Sequence, residues 1–331
     1  MQTIETDYLV IGAGAMGMAF TDSLIDHADV HVTLVDQRHA VGGHWNNAYP
    51  FVQLHQASLF YGVASTQLGS GLVQPGGPEE GLQERAWSSE IRAYYDDILR
   101  RRFIGSGRVS FLGGHRHHEA DGRQLVTSLV SGETVEIRAR RRIVDAAYLS
   151  PTIPATTPPP FGVADGVRVV PVNELAALTE APREFIVIGS GKTATDCIVW
   201  LLVNGVPSDR IVWIRPRDPW MLNRAMVQPD PVVALGLAAD TMACAMDAGS
   251  PDELFLNLEA AGVMMRIDRR SSRPWPRHRP WADGNWTCCA VSSALCALGA
   301  SSRSAETKYC SMMVRSRWRL DPLLCTAPPL A

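Results

Sequence analysis

Lysine is nearly missing from this 331-residue chain: Lys192 and Lys308 are its only two, so almost all of the 31 basic side chains are arginine. That bias reflects a GC-rich coding sequence and carries no functional meaning. The chain also lacks a dominant charge. A formal net charge of −3 provides no basic surface of the kind that neutralises a phosphate backbone, which argues against nucleic acid as a partner. No apolar run reaches the roughly 18 residues that a membrane crossing needs. The first apolar strand begins by Tyr8, too early for a charged and then apolar leader, so the expectation is a cytoplasmic protein without a membrane partner. Cysteines are few and irregular. Cys288 and Cys289 are adjacent, a spacing that suits neither a metal nor a bridge, and all seven cysteines read as free thiols. His115, His117 and His118 crowd around Arg116 without a carboxylate at a useful spacing, so no metal site is expected.

What is present is enough apolar residue, 46%, to fill two cores, together with two glycine-rich turns. One such turn is weak evidence of anything. Here each lies between a β-branched strand and a helical run, a context that is harder to produce by chance. In the first, Tyr8–Ile11 reads as the strand, Gly12-Ala-Gly14-Ala15-Met16-Gly17 as the turn, and Met16, Ala19, Phe20 and Leu24 as the apolar spacing of a helix. Gly12 permits a tight turn, Gly14 lets the backbone approach a pyrophosphate, and Gly17 lets the helix lie close on the strand. A second strand, Val30–Val35, ends at Asp36 and Gln37. An acid there accepts hydrogen bonds from a ribose 2′-hydroxyl and repels a 2′-phosphate, so the first site fits FAD or NAD rather than NADP.

The second turn repeats the grammar. Phe185–Ile188 is the strand, Gly189-Ser190-Gly191-Lys192-Thr193-Ala194 the turn, and Ala194–Val203 the helix. Only Ser190 separates the first two glycines, where a phosphate-binding Walker loop needs four residues before its GK pair, so ATP is not the expected ligand. The next strand, Ile211–Ile214, ends in Arg215 and then Arg217, which would accommodate a 2′-phosphate and favour NADPH. Lys192 would add charge near the phosphates. Between the two turns, Val109–Leu112, Gln124–Val130 and Thr134–Ile137 alternate like strands and predict a small antiparallel sheet. Trp87–Leu99 predicts an amphipathic helix whose Tyr94 and Tyr95 pack in the core. Pro151–Pro160 reads as a linker.

After Asp36 comes Val41-Gly42-Gly43-His44-Trp45, and with the two turns this resembles the two-dinucleotide flavoproteins, in particular the GGxW of flavin-containing monooxygenases. The resemblance spans residues 7–268. It implies an α/β protein with two Rossmann-like dinucleotide-binding domains, an FAD half and an NADPH half, with the antiparallel excursion in the first. It implies that Gly43, His44 and Trp45 lie along FAD, that His55 and Gln56 run beside the flavin, and that Arg142–Tyr148 closes the FAD half. Disulfide reductases of the superfamily carry a cysteine pair after the glycine pair; here no cysteine precedes Cys197, which excludes a dithiol mechanism. The monooxygenases also carry a histidine in a signature just before the second turn, and Phe161–Asn173 has none.

From Arg269 onward the texture changes. Residues 267–331 hold ten basic and four acidic side chains and five of the seven cysteines, and apolar periodicity is lost. The expectation is an atypical tail, either disordered or out of frame, that omits the family's return to the FAD half. The domain reading is therefore residues 1–155 for FAD, 165–266 for NADPH and 267–331 for the tail. The functional reading is an FAD-dependent oxidoreductase accepting hydride from NADPH and acting on a small-molecule substrate. A monooxygenase, a flavin reductase or dehydrogenase without oxygenation, and a non-catalytic nucleotide-binding remnant remain as alternatives, and no acid, base or nucleophile constellation names a substrate.

Overall fold

A computed structural model of the chain describes residues 1–77, 79–148, 153–215, 219–267 and, for the backbone, 287–289. The chain divides into two compact units, residues 1–72 with 83–157 and residues 73–82 with 158–331. The Pro151–Pro160 segment expected as a linker spans the boundary of the first, and its residues 151 and 152 lie outside the described set.

The first unit is built on one six-stranded sheet. Strand β1, Gln2–Ile11, is followed by helix α1, Ala15–His27, and strand β2, Val32–Asp36. A short hairpin of β3, Gly62–Val63, and β4, Thr66–Gln67, precedes helix α2, Ser88–Asp97. Strands β5, Val109–Gly113, β6, His115–Ala120, β7, Arg123–Ser128, and β8, Thr134–Asp145, complete the sheet in the order β5-β2-β1-β8-β7-β6. The four strands β5, β2, β1 and β8 run parallel, and β7 and β6 add antiparallel. β2 is buried at all five positions, as its near-continuous apolar run requires of a central parallel strand. Leu9, Val35, Val126 and Ile137 meet in the core from four different strands.

Several sequence expectations change here. Val109–Leu112 belongs to the parallel part beside β2, not to the antiparallel excursion. Thr134–Ile137 and Arg142–Asp145 are one strand, β8: its first part pairs with β7 while its whole length follows β1. The excursion is thus continuous with the main sheet. The histidines at 115, 117 and 118 lie on β6, which joins β7 through Asp121 and Gly122, both at positive φ, the mark of a two-residue hairpin turn. Among the described residues no group of three or more His, Cys, Asp or Glu could hold a metal. Helix α2 starts one residue after Trp87, whose N–H is capped by the Glu90 carboxylate at 2.6 Å, and runs on into a wider π turn, Ile98–Phe103.

In the second unit β9, Phe185–Ile188, leads through the glycine turn to α3, Lys192–Val203, and back to β10, Ile211–Arg215, parallel to β9. Val187, Ile211 and Trp213 on the sheet and Ala194, Cys197, Ile198 and Leu201 on α3 form its core. Hairpin strand β11, Met221–Leu222, precedes α4, Pro231–Met246, capped by Asp230, and α5, Pro251–Ala260, capped by Ser250. Strand β12, Met264–Met265, pairs with β11, and β13, Thr287–Cys289, pairs antiparallel with β10. Apart from Ile267 and β13, the expected atypical tail lies outside the described residues. No helix among the described residues is long and apolar enough to cross a membrane.

Candidate dinucleotide sites

The first glycine turn sits at the carboxyl end of β1. Gly12 has φ +100°, which a side chain rarely adopts, and a Cβ there would lie 3.1 Å from the Ala146 carbonyl carbon. Gly17 is under a stricter limit. On the first turn of α1, its Cβ would come within 1.9 Å of the Gly12 carbonyl oxygen, so only hydrogen fits. Gly14 is the residue before α1; a Cβ there would meet nothing nearer than 3.5 Å, and what touches it is Gly43. The N–H groups that open α1, at the Gly14 end of the turn, are where a pyrophosphate would be held. Ala15 begins the helix, and Met16 beside it leaves 72% of its surface exposed.

The segment after β2 is tied to this turn. Gly42 donates its N–H to the Ala13 carbonyl at 2.8 Å, and Gly43, at φ +56°, packs backbone to backbone on Gly14. Trp45 is buried, and its indole N–H donates to the Tyr61 hydroxyl at 2.7 Å. Tyr61 in turn meets the fully buried Tyr95 edge to face, with ring centroids 6.3 Å apart. Burial, and then the neighbouring Tyr61 phenol, push the Tyr95 hydroxyl far above its ordinary pKa. Tyr61 and Tyr95 hold the GGHW segment in place and escaped the sequence reading, which left Tyr95 in a generic core and did not single out Tyr61. His44 stands on the exposed side, where local desolvation and then the charge of Arg38 hold its imidazolium below the usual range. His55, exposed, and Gln56, half-buried, follow on the next loop.

Asp36 is where the sequence placed it, at the end of β2, but it is already engaged. Its Oδ2 accepts the Ala13 N–H at 2.7 Å and its Oδ1 accepts the Arg38 N–H at 2.8 Å. The side chain is 5% exposed. It holds the glycine turn against the strand end, a role that the expectation of a ribose contact did not foresee. Gln37 beside it is exposed.

In the second unit Gly189 has φ +127°, its N–H donates to the Ile214 carbonyl at 3.0 Å, and its own carbonyl accepts the Trp213 indole N–H at 2.7 Å. Around Gly191, the residue before α3, a Cβ would meet nothing within 4 Å. This open step at the head of a helix fits a pyrophosphate as the first does. Ser190 is half-buried, Thr193 exposed and Ala194 buried against the core. The cations fit less well than expected. The Lys192 ammonium is paired to the Asp196 carboxylate one helical turn on, so its charge is compensated. Arg215 is 2% exposed, its guanidinium 5.1 Å from the centre of the Trp213 ring, because both side chains occupy the covered face of β10. Strand alternation, invisible in a motif, decides this. Arg217 lies outside the described residues. Cys197, buried on α3, has its thiol pushed up to about 12 by desolvation and then by Asp196, which leaves it inert as a nucleophile.

Residues 10–62 match the family model described as an NAD(P)-binding Rossmann-like domain. Among curated proteins, the uncharacterized proteins Rv2000 of Mycobacterium tuberculosis and Mb2023 of Mycobacterium bovis are each 44% identical over 270 residues, 81% of this chain and 49% of theirs. The chain thus spans about half the length of the curated relatives it matches. Among solved structures, a flavin-containing monooxygenase from Stenotrophomonas maltophilia is 16% identical, with 88% of this chain and 77% of that chain covered at a TM-score of 0.44. A bacillithiol disulfide reductase from Staphylococcus aureus is 13% identical, with 73% and 65% covered at a TM-score of 0.42. The first glycine turn, Asp36 and the Gly42–Trp45 segment all lie within the stretch that matches this NAD(P)-binding Rossmann-like model, in a chain whose second unit repeats the strand, glycine turn and helix.

Proposed function

We propose that this protein is a flavin-dependent oxidoreductase in which FAD occupies the first turn and a nicotinamide coenzyme, NADPH on the sequence reading, the second. The observation that carries the reading is the repeated turn: Gly14 and Gly191 each stand at the head of a helix where a Cβ would meet nothing nearer than 3.5 Å, with a positive-φ glycine two residues earlier. When bound, the flavin and the reduced coenzyme would supply the hydride-transfer chemistry, which belongs to the cofactors. The chain supplies position. Gly12, Gly14 and Gly17 would seat the FAD pyrophosphate, Gly43 and Trp45 would line its path, and Gly189 and Gly191 would seat the coenzyme. Purification tests the reading: a yellow protein whose flavin absorbance is bleached by NADPH more readily than by NADH supports it, and a folded, colourless protein that takes up no added FAD refutes it.

A second reading is a flavin reductase that passes electrons onward without oxygenating a substrate. The missing histidine in Phe161–Asn173 favours it. Oxygen uptake that returns as free peroxide with every candidate organic substrate would support this reading; substrate-coupled uptake would support the monooxygenase.

A further inference from the structure

Helix α4 is apolar almost all the way round. Of its 16 residues only Asp240 is charged, and its one hydroxyl, on Thr241, donates back to the Leu237 carbonyl at 2.7 Å. Asp240 shares a row with Val233, Leu237 and Cys244, and Leu237 and Cys244 pack with Phe255 and Leu258 of α5 and with Val263. Such packing satisfies a helix with one apolar stripe, whereas a helix apolar on every side belongs in an interior. Among the described residues the opposite side of α4 lies open. Its Val232, Leu235, Met242 and Met246 are 67% to 84% exposed, a large apolar patch of the kind that marks an interaction surface.

The open side is ordered. Val232, Leu235, Ala239, Met242 and Met246 follow one another at steps of three, four, three and four, the spacing of a seam between two helices. Beside this ridge runs a row of small side chains, Ala234, Ala238, Thr241 and Ala245, all exposed. A ridge next to a shallow groove is self-complementary: a copy turned by a two-fold axis lays its ridge in the groove of the first and receives the first in return. Ala238 and Ala239 fall at the midpoint of the helix, where small residues let two backbones cross closely. Neither ridge nor groove carries a charge, so a second copy meets no repulsion there. At 1.5 Å per residue α4 is about 24 Å long, and two such faces together bury on the order of 1,000 Å², the lower limit for a specific interface.

We propose that this face is a self-association surface: α4 pairs antiparallel with the α4 of a second copy, crossing at Ala239, with Leu235 of each copy against Met242 of the other. The modest area makes the dimer weak and concentration-dependent. No nucleotide is needed at either glycine turn.

Sedimentation equilibrium of the full chain, from low-micromolar to submillimolar concentration, tests this beside Ala239→Glu and Met242→Glu. Both positions are exposed, so both variants should melt near the parent temperature, and both should stay monomeric where the parent dimerises. Ala239→Cys gives a second readout that does not depend on charge. Under mild oxidation it should form an interchain disulfide that the parent, treated alike, does not, because a crossing at residue 239 brings the two new thiols within bridging distance. A parent that is monomeric throughout, a dimer that survives either glutamate, or an Ala239→Cys protein that forms no added bridge would overturn the proposal. Co-flotation of a monomeric parent with neutral phosphatidylcholine vesicles would overturn it too, and assign the face to a lipid surface.

Discussion

Gly43 and Gly14 meet with no side chain between them: a Cβ on Gly43 would lie 2.8 Å from the Gly14 Cα. The loop after β2 and the turn after β1 are therefore one surface, held also by the Gly42–Ala13 hydrogen bond. Gly43→Ala must part the two loops and place a side chain at φ +56°, so it should cost about 1–3 kcal/mol by urea denaturation and reduce dinucleotide binding in step. Gly17→Ala should cost more, because its Cβ would meet the Gly12 carbonyl at 1.9 Å and α1 cannot start in place. A Gly43→Ala protein with parental stability and binding would show that the two loops separate freely.

Much of this was legible in the residues. The turns at Gly12 and Gly189 are written in glycine spacing and flanking β-branched runs, and the structure places both at strand ends before helices. Other features are set by partners far away in sequence. Gln2–Thr6 carries no strong strand signal, yet it extends β1 because the distant β8 pairs with it. HRHHEA carries no apolar alternation and no strand is expected from it; its pairing with β7 makes it one. Arg215 and Asp36 were named for their charge and motif position; whether such a group faces a ligand is set by strand alternation and by competing backbone donors, which no motif records.

Asp22 gives a stability test remote from the ligands. It is fully buried on α1, where its carboxylate accepts the Ser65 N–H at 3.0 Å and hydroxyl at 2.6 Å and also pairs with Arg102. Arg102 bonds Asp26 as well, at 2.5 Å. Arg102→Met leaves a buried carboxylate without its cation, and should cost about 3–5 kcal/mol. Asp22→Asn in the same background should recover part of that loss, since an amide without its ion partner is cheaper to bury. Additive losses in the double variant would show that the two side chains do not act as a pair.

Acid stability should depend on Asp7. Its Oδ2 accepts the His31 N–H at 2.8 Å, and Arg140 and Arg141 approach its Oδ1 at 3.1 and 3.7 Å. The His31 hydrogen bond first, opposed by desolvation and then aided by Arg140, holds this carboxyl below the usual range. A lowered folded pKa means stability present above the unfolded value, about 4, and lost as pH falls through the folded one. In Asp7→Asn this part of the acid limb should flatten, followed as denaturation midpoint against pH between about 5 and 2. Parallel limbs in variant and parent would assign the pH dependence elsewhere.

Gly191 separates coenzyme binding from folding in the second unit. A Cβ there meets nothing within 4 Å and the residue's φ is −83°, so aspartate fits the unliganded backbone without strain. It lies one step from the first N–H groups of α3, where a carboxylate is favoured by the helix dipole, and its effect on stability should stay within about 0.5 kcal/mol. The same carboxylate would fill the space proposed for a pyrophosphate and repel it. Gly191→Asp should therefore unfold like the parent, retain flavin at the first turn, and lose NADPH-dependent bleaching by at least about a hundredfold in rate at fixed coenzyme, a barrier or binding change near 2.7 kcal/mol. Flavin reduction by dithionite should be unaffected, which separates loss of the coenzyme from loss of the flavin. If NADPH bleaches the variant at the parental rate, the second turn is not where the coenzyme binds.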